Sequence, residues 1–215
     1  MRMRKKKNLI PRLERCADVL IAEPREYRGR FSELFSRNAP LYLEIGAGKG
    51  AFMRKMCARE DRDFNYIALE KVPEALIMAM EKAKAENIAD ALFISEDAAL
   101  LSEIFSEGEV ARIFLNFSDP WPKSRQAKRR LTHENFLKQY KTILAPDGEI
   151  VLKTDNPRLF EFSLCEFSKC GFVLKELTLD LHNSKYAEGN CTTEYEDRFV
   201  SLGQPIYRVI AAKRA

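Results

Sequence analysis

The sequence predicts an α/β fold in which a largely parallel sheet carries helices on both faces. Three observations predict it. From residue 41 onward, short apolar runs alternate with helical patterns. The run VARIFLNF (110–117) is apolar on both faces, as a central strand is. Acids and glycines fall directly after the apolar runs, where open parallel sheets bind their ligands.

The elements follow in order. LYLEI (41–45) reads as a buried strand, then a glycine-rich turn and a helix over 49–60. NYIAL (65–69) is the second strand. Pro73 suits the first turn of a helix running to Asn87. ALFIS (91–95) is the third strand, with a short helix over 98–105. VARIFLNF is the fourth. Thr132 is placed to cap a helix reaching Leu144, and Pro146-Asp147-Gly148 signals a turn. EIVLKT (149–154) is the fifth strand. A helix over 157–169 stops at Gly171, FVLKELTL (172–179) is the sixth strand, and PIYRVIAAK (205–213) is the last. Residues 1–40 lack this alternation. They read as a basic extension that packs on the active-site side of a domain spanning 41–215, with residues 1–7 disordered when no partner is bound.

A chain of 215 residues with 46% hydrophobic and 32% charged content suits one domain with a sizeable core. The net charge of +4 conceals its distribution. Residues 2–7 carry five positive charges and residues 123–130 five more, and without these ten the remainder stands at −6. A mildly acidic body with two basic patches points to a polyanionic partner. Five cysteines without a C-x-x-C pair imply reduced thiols and no zinc site, and Cys57, Cys165 and Cys170 read as small core residues. No apolar run approaches a membrane span, and no apolar stretch follows the basic start as in a secretory signal.

The turn EIGAGKG (44–50) has glycines at 46, 48 and 50, which let the backbone turn tightly and approach a ligand. Glu70, at the end of the second strand, is placed to accept both hydroxyls of a ribose. A dinucleotide turn wants its third glycine one position later, and Glu44 would repel a pyrophosphate. This disfavours a nicotinamide oxidoreductase. Glu44 suits a ligand with an ammonium group, such as S-adenosylmethionine, which has no phosphate. Asp97 is placed to bond an adenine amine, to cap the helix at 98, or both.

These residues resemble the cofactor half of class I methyltransferases. FSDPWPK (117–123) with its basic run, KTDN (153–156) and TEYE (193–196) occur in the order found in the bacterial tRNA (guanine-N7)-methyltransferases, and the likeness covers nearly the whole chain. Alanine at 47 and the ALEK wording around Glu70 are its main small departures. The resemblance implies a Rossmann-like, seven-stranded, mostly parallel sheet with an antiparallel last strand. It implies S-adenosylmethionine as cofactor, bound by Glu44, Gly46, Gly48, Gly50, Glu70, Asp97 and Asp119. It also implies methyl transfer to N7 of a guanine in the tRNA variable loop, with Lys123 on the substrate and residues 125–130 on RNA. In that run Arg125, Lys128, Arg129 and Arg130 supply the charge. Asp155, after the fifth strand, and Thr193, Glu194, Tyr195 and Glu196, in the loop before the last strand, are its remaining substrate positions. No metal, membrane or obligatory protein partner is implied, and a cytoplasmic monomer or homodimer is.

The chemistry accounts for one acid placed ahead of so much positive charge. Guanine N7 bears a lone pair and no proton, so its attack needs no general base. Asp119 is assigned to orient the base through N1–H and the exocyclic amine and to favour the cation formed. Pro120 and Pro122 fix its backbone. The basic residues take phosphates, which position but do not specify. Trp121 either stacks on a base or anchors the loop, and one of Asp155 and Asn156 is expected to cap the helix at 157. Two other readings compete. One is methylation of an exocyclic amine, since Asp-Pro-Trp resembles the Asp/Asn-Pro-Pro-Trp/Tyr element, although here the second proline follows the aromatic. The other is an RNA-binding protein that has lost catalysis.

Overall fold

The computed structural model describes residues 8–214. The basic stretch 2–7 and its expected disorder lie outside them. Seven strands form one sheet in the order β3-β2-β1-β4-β5-β7-β6. They are β1 (Leu41–Ile45), β2 (Asn65–Leu69), β3 (Ala91–Ile94), β4 (Val110–Asn116), β5 (Leu144–Thr154), β6 (Val173–Thr178) and β7 (Tyr207–Ala212). The first five run parallel, and β7 lies antiparallel between β5 and β6. Chain order reverses between β1 and β4, so the ligand crevice of such a sheet falls beyond their carboxyl ends.

The helices among the described residues are α1 (Leu9–Glu14), α2 (Ala51–Cys57), α3 (Pro73–Ala85), α4 (Leu101–Ile104), α5 (Glu134–Ile143), α6 (Pro157–Lys169) and α7 (Glu194–Ser201). Alternation along the strands sends side chains to opposite faces. One apolar layer joins Phe52 and Met53 of α2 and Leu76 and Met80 of α3 to Tyr66, Phe114 and Val151. The other joins Leu101 of α4, Leu137 and Tyr140 of α5 and Phe160 of α6 to Leu43, Ile67 and Leu152. Residues 8–40 follow the β3 edge, where the Ile21 amide donates to the Phe93 carbonyl and the Phe93 amide to the Val19 carbonyl, each at 2.9 Å, and contribute Cys16 to the first layer and Phe31 to the second.

Several boundaries differ from the sequence reading. Thr132 is buried, its hydroxyl 2.7 Å from that of Ser163, and His133 caps α5 by accepting from the Asn135 amide. The Pro146–Gly148 turn does not separate α5 from a strand. β5 already pairs at Leu144 with Val110, and the turn becomes an irregularity before pairing resumes at Glu149. The residues expected to form a loop before the last strand instead form α7. Cys57 is buried, but Cys165 is exposed because it lies on the outer side of α6.

Candidate active site

Glu44, Glu70, Asp97, Asp119 and Asp155 all lie at or just beyond the carboxyl ends of β1 to β5 in turn, as the spacing predicts. The turn 46–50 follows β1 and opens α2. Gly46 (φ 78°) and Gly48 (φ 56°) have left-handed backbones, and a Cβ on either would project into open space. That bare backbone is what a closely approaching ligand needs. Gly50 (φ 74°) also has a packing role: a Cβ there would stand 2.8 Å from that of Ala79, so its absence lets α3 pack.

The carboxylates differ in surroundings. Both oxygens of Glu70 hold backbone, accepting from the amides of Gly48 and Val72 at 2.9 Å each. Glu70 therefore ties the glycine turn to the β2 tip. Glu44 is 2% exposed. Tyr66 Oη donates to its Oε2 at 3.1 Å and Asn116 Nδ2 to its Oε1 at 3.2 Å. Burial pushes its pKa up to about 7, against the lowering effect of Asn116, Tyr66 and Lys153. Asp97 caps the turn 98–100 by accepting from the Ala99 amide at 2.9 Å, and its other oxygen lies 3.7 Å from Lys71 Nζ.

The Asn116–Glu44 bond bridges β1 and β4, the point of chain reversal, and it fixes the start of the Asp119 loop on the cofactor-side acid. Phe117 (φ 51°) and Trp121 (φ 41°) have left-handed backbones on either side of Asp119, a strain that surrounding structure must hold. Arg130 supplies part of that hold. Its guanidinium donates to the carbonyls of Pro120 and Trp121 at 3.0 Å each and lies 4.3 Å from the Phe162 ring centroid. It is thus half-buried and engaged with the loop backbone, whereas Lys123, Arg125, Lys128 and Arg129 are exposed. Arg129 covers the Trp121 ring at 4.9 Å. Asp119 itself is exposed and has no hydrogen-bond partner among the described residues.

Asn156 rather than Asp155 caps α6, accepting from the Leu159 amide at 2.9 Å, so the carboxylate of Asp155 is left for other work. Thr193 caps α7, accepting from the Glu196 amide at 3.0 Å. Tyr195, 61% exposed, and Phe199 stack on Phe117 at 6.4 and 6.1 Å. Glu194 meets Lys49 of the glycine turn at 3.9 Å and Lys82 at 3.4 Å. The sequence reading missed the helix, although T-x-x-E is the signature of a capping box, and Phe199 follows Tyr195 by one helical step.

The crevice fits S-adenosylmethionine. It offers bare backbone at Gly46 and Gly48 and carboxylates rather than phosphate-binding groups. It also carries buried polar atoms without partners, Oδ1 of Asn116 and Oγ of Ser118, at the β4 tip.

Residues 38–209 match the family model described as a putative methyltransferase. The chain is 44% identical to a tRNA (guanine-N(7)-)-methyltransferase of Bacillus cytotoxicus, covering 100% of this chain and 98% of that protein. It is 45% identical to the protein of the same name from Bacillus subtilis, over 97% of each. With that from Listeria monocytogenes the identity is 46%, over 98% of each. Among solved structures, the 16S rRNA methyltransferase KamB superposes with a TM-score of 0.65 at 15% identity, covering 87% of this chain and 94% of that one. A SAM-dependent methyltransferase from Aquifex aeolicus superposes at 0.57 with 12% identity, over 97% and 100%. At these identities the structures establish the shared fold.

Proposed function

The chain belongs to the family of tRNA (guanine-N(7)-)-methyltransferases, and from that premise we propose that it transfers a methyl group from S-adenosylmethionine to N7 of a guanine in the tRNA variable loop. The observation that carries this reading is the Asn116–Glu44 bond at 3.2 Å, which joins the base-reading loop to the cofactor crevice.

The cofactor supplies a methyl carbon made electrophilic by its sulfonium. Gly46 and Gly48 leave room for it, Glu44 faces its ammonium group, Glu70 its ribose hydroxyls and Asp97 its adenine amine. N7 carries no proton, so the enzyme's part in the chemistry is alignment. Asp119 accepts from N1–H and the exocyclic amine, holds the base in line, and lowers the energy of the positive charge that builds on the purine. Its exposure serves this role, since a carboxylate already engaged could not grip an incoming base. The guanine must leave its stack to reach the crevice. Asp155 and the α7 segment line the acceptor side, while Lys123, Arg125, Lys128, Arg129 and the basic start take phosphates. Within residues 8–40, Arg25 bonds Glu96 at 3.2 Å, beside Asp97, which supports a place for this segment on the active-site side. No described helix is long and apolar enough to cross a membrane. We place the enzyme with its tRNA in the cytoplasm, acting as a monomer or homodimer.

Incubation with labelled S-adenosylmethionine and unmodified tRNA, followed by nucleoside analysis, tests the proposal. The expected product is 7-methylguanosine. Label on an exocyclic amine would favour the Asp-Pro-Trp alternative, and cofactor binding without transfer would favour a silent RNA-binding protein.

A further inference from the structure

We propose that Lys153 is a positioning residue for the acceptor site, which it serves by holding Glu196 and with it α7 in place. The inference rests on the Asp119 loop being the acceptor site. Lys153 and Glu196 form a buried ion pair at 2.6 Å, with side chains 2% and 0% exposed. Every polar position of the pair is filled. Lys153 Nζ donates to Glu196 Oε2, to Asn190 Oδ1 at 3.1 Å and to the Cys191 carbonyl at 2.7 Å. It also lies 4.9 Å from the centre of the Phe52 ring. Glu196 Oε1 accepts from Asn190 Nδ2 at 2.6 Å and lies 3.0 Å from His182 Nε2.

The pair's position gives it a purpose. Lys153 pairs in register with Asn116, the residue bonded to Glu44. On its other side the ion pair pins α7, whose Tyr195 and Phe199 stack on Phe117, two residues before Asp119. A buried ion pair adds little net stability over apolar packing, but it tolerates only one arrangement. Here that arrangement sets α7 against the strained Asp119 loop. The surface contacts of α7 through Lys49, Lys55 and Lys82 are exposed and worth less individually.

A double-mutant cycle in the whole enzyme tests this, with tRNA kinetics, cofactor Kd and proteolysis of 180–201 as readouts. Lys153→Met strands a buried carboxylate and is expected to lower kcat/KM for tRNA roughly 100-fold, while cofactor Kd changes by less than about threefold. Combining it with Glu196→Gln removes the stranded charge and is expected to recover about tenfold and to restore protection of 180–201. Asn190→Ala strands no charge and keeps the proposal testable if the other variants misfold. It is expected to raise KM for tRNA about fivefold with kcat unchanged. A double variant no better than Lys153→Met alone, or an Asn190→Ala enzyme with unaltered KM, would overturn the proposal. Loss of N7 methylation in the wild-type control would instead defeat the underlying reading.

Discussion

Glu44 and Asp119 are both acids at the tips of neighbouring strands, yet the protein treats them in opposite ways. Glu44 is sealed in, held by Tyr66 and Asn116, with its pKa pushed up to about 7. Asp119 stands in the open on a loop whose backbone is strained on both sides. On the proposed assignment, the cofactor side is preorganised at a cost in stability, and the acceptor side keeps its acid free for a large, charged visitor. A group can be buried in advance for a small ligand of constant shape. For a base that arrives attached to RNA, the group must wait in solvent and the backbone must supply the order.

The sharpest break of this comparison is Asp119→Asn. It is expected to lower kcat/KM about 10³-fold through lost electrostatic support, with the melting temperature unchanged because no folded-state contact is lost. Wild-type turnover, or a fall in melting temperature matching the activity loss, would remove Asp119 from its role.

Glu44→Gln should separate binding from stability. Cofactor Kd is expected to weaken about 30-fold through loss of the charge. The folded carboxyl titrates near 7 against an ordinary 4.5, so the uncharged form is favoured in the fold. That advantage is full below 4.5 and is lost as pH rises through 7. The variant should therefore match the wild type at pH 4 and exceed it at pH 8 by up to about 3 kcal/mol. Denaturant melts at the two pH values check the sign. In the wild type, cofactor affinity should rise with pH through about 7, and in the variant this slope should vanish.

The glycine turn sharpens the contrast further. Gly50→Ala meets Ala79 and a left-handed backbone, and is expected to cost about 2 kcal/mol of stability. Gly48→Ala is expected to cost about 1 kcal/mol in stability but to lose more in cofactor affinity, which calorimetric titration would show. The smallest effects concern phosphates. Arg125→Ala is expected to lower the slope of log affinity against log salt by about 0.9, whereas Arg130→Ala should leave that slope nearly unchanged and reduce kcat. Equal salt slopes in the two variants would make Arg130 a phosphate ligand.

The strand tips were legible because burial on both faces leaves a strand little freedom of composition, so polar residues at its end stand out. Glu44, Glu70 and Asp119 were found this way. The division among the three glycines was not legible, since all have positive φ and only the packing of Ala79 separates Gly50 from the others. Nor was Lys153. In the sequence it is one more cation in KTDN, and only β5–β4 pairing together with α7 folding over it makes it buried. The Arg130 clamp was hidden likewise, because a run of basic residues does not announce which member turns inward.

That clamp has a consequence for how such an enzyme changes over generations. Arg130 grips main-chain carbonyls, so the loop owes its shape to atoms that every amino acid carries. The side chain at 119 is then a replaceable tool in a fixed handle. Under the base-reading role proposed for Asp119, exchanging it would alter which nucleobase edge is recognised without remaking the scaffold, and new acceptor preferences would lie within reach of single codon changes.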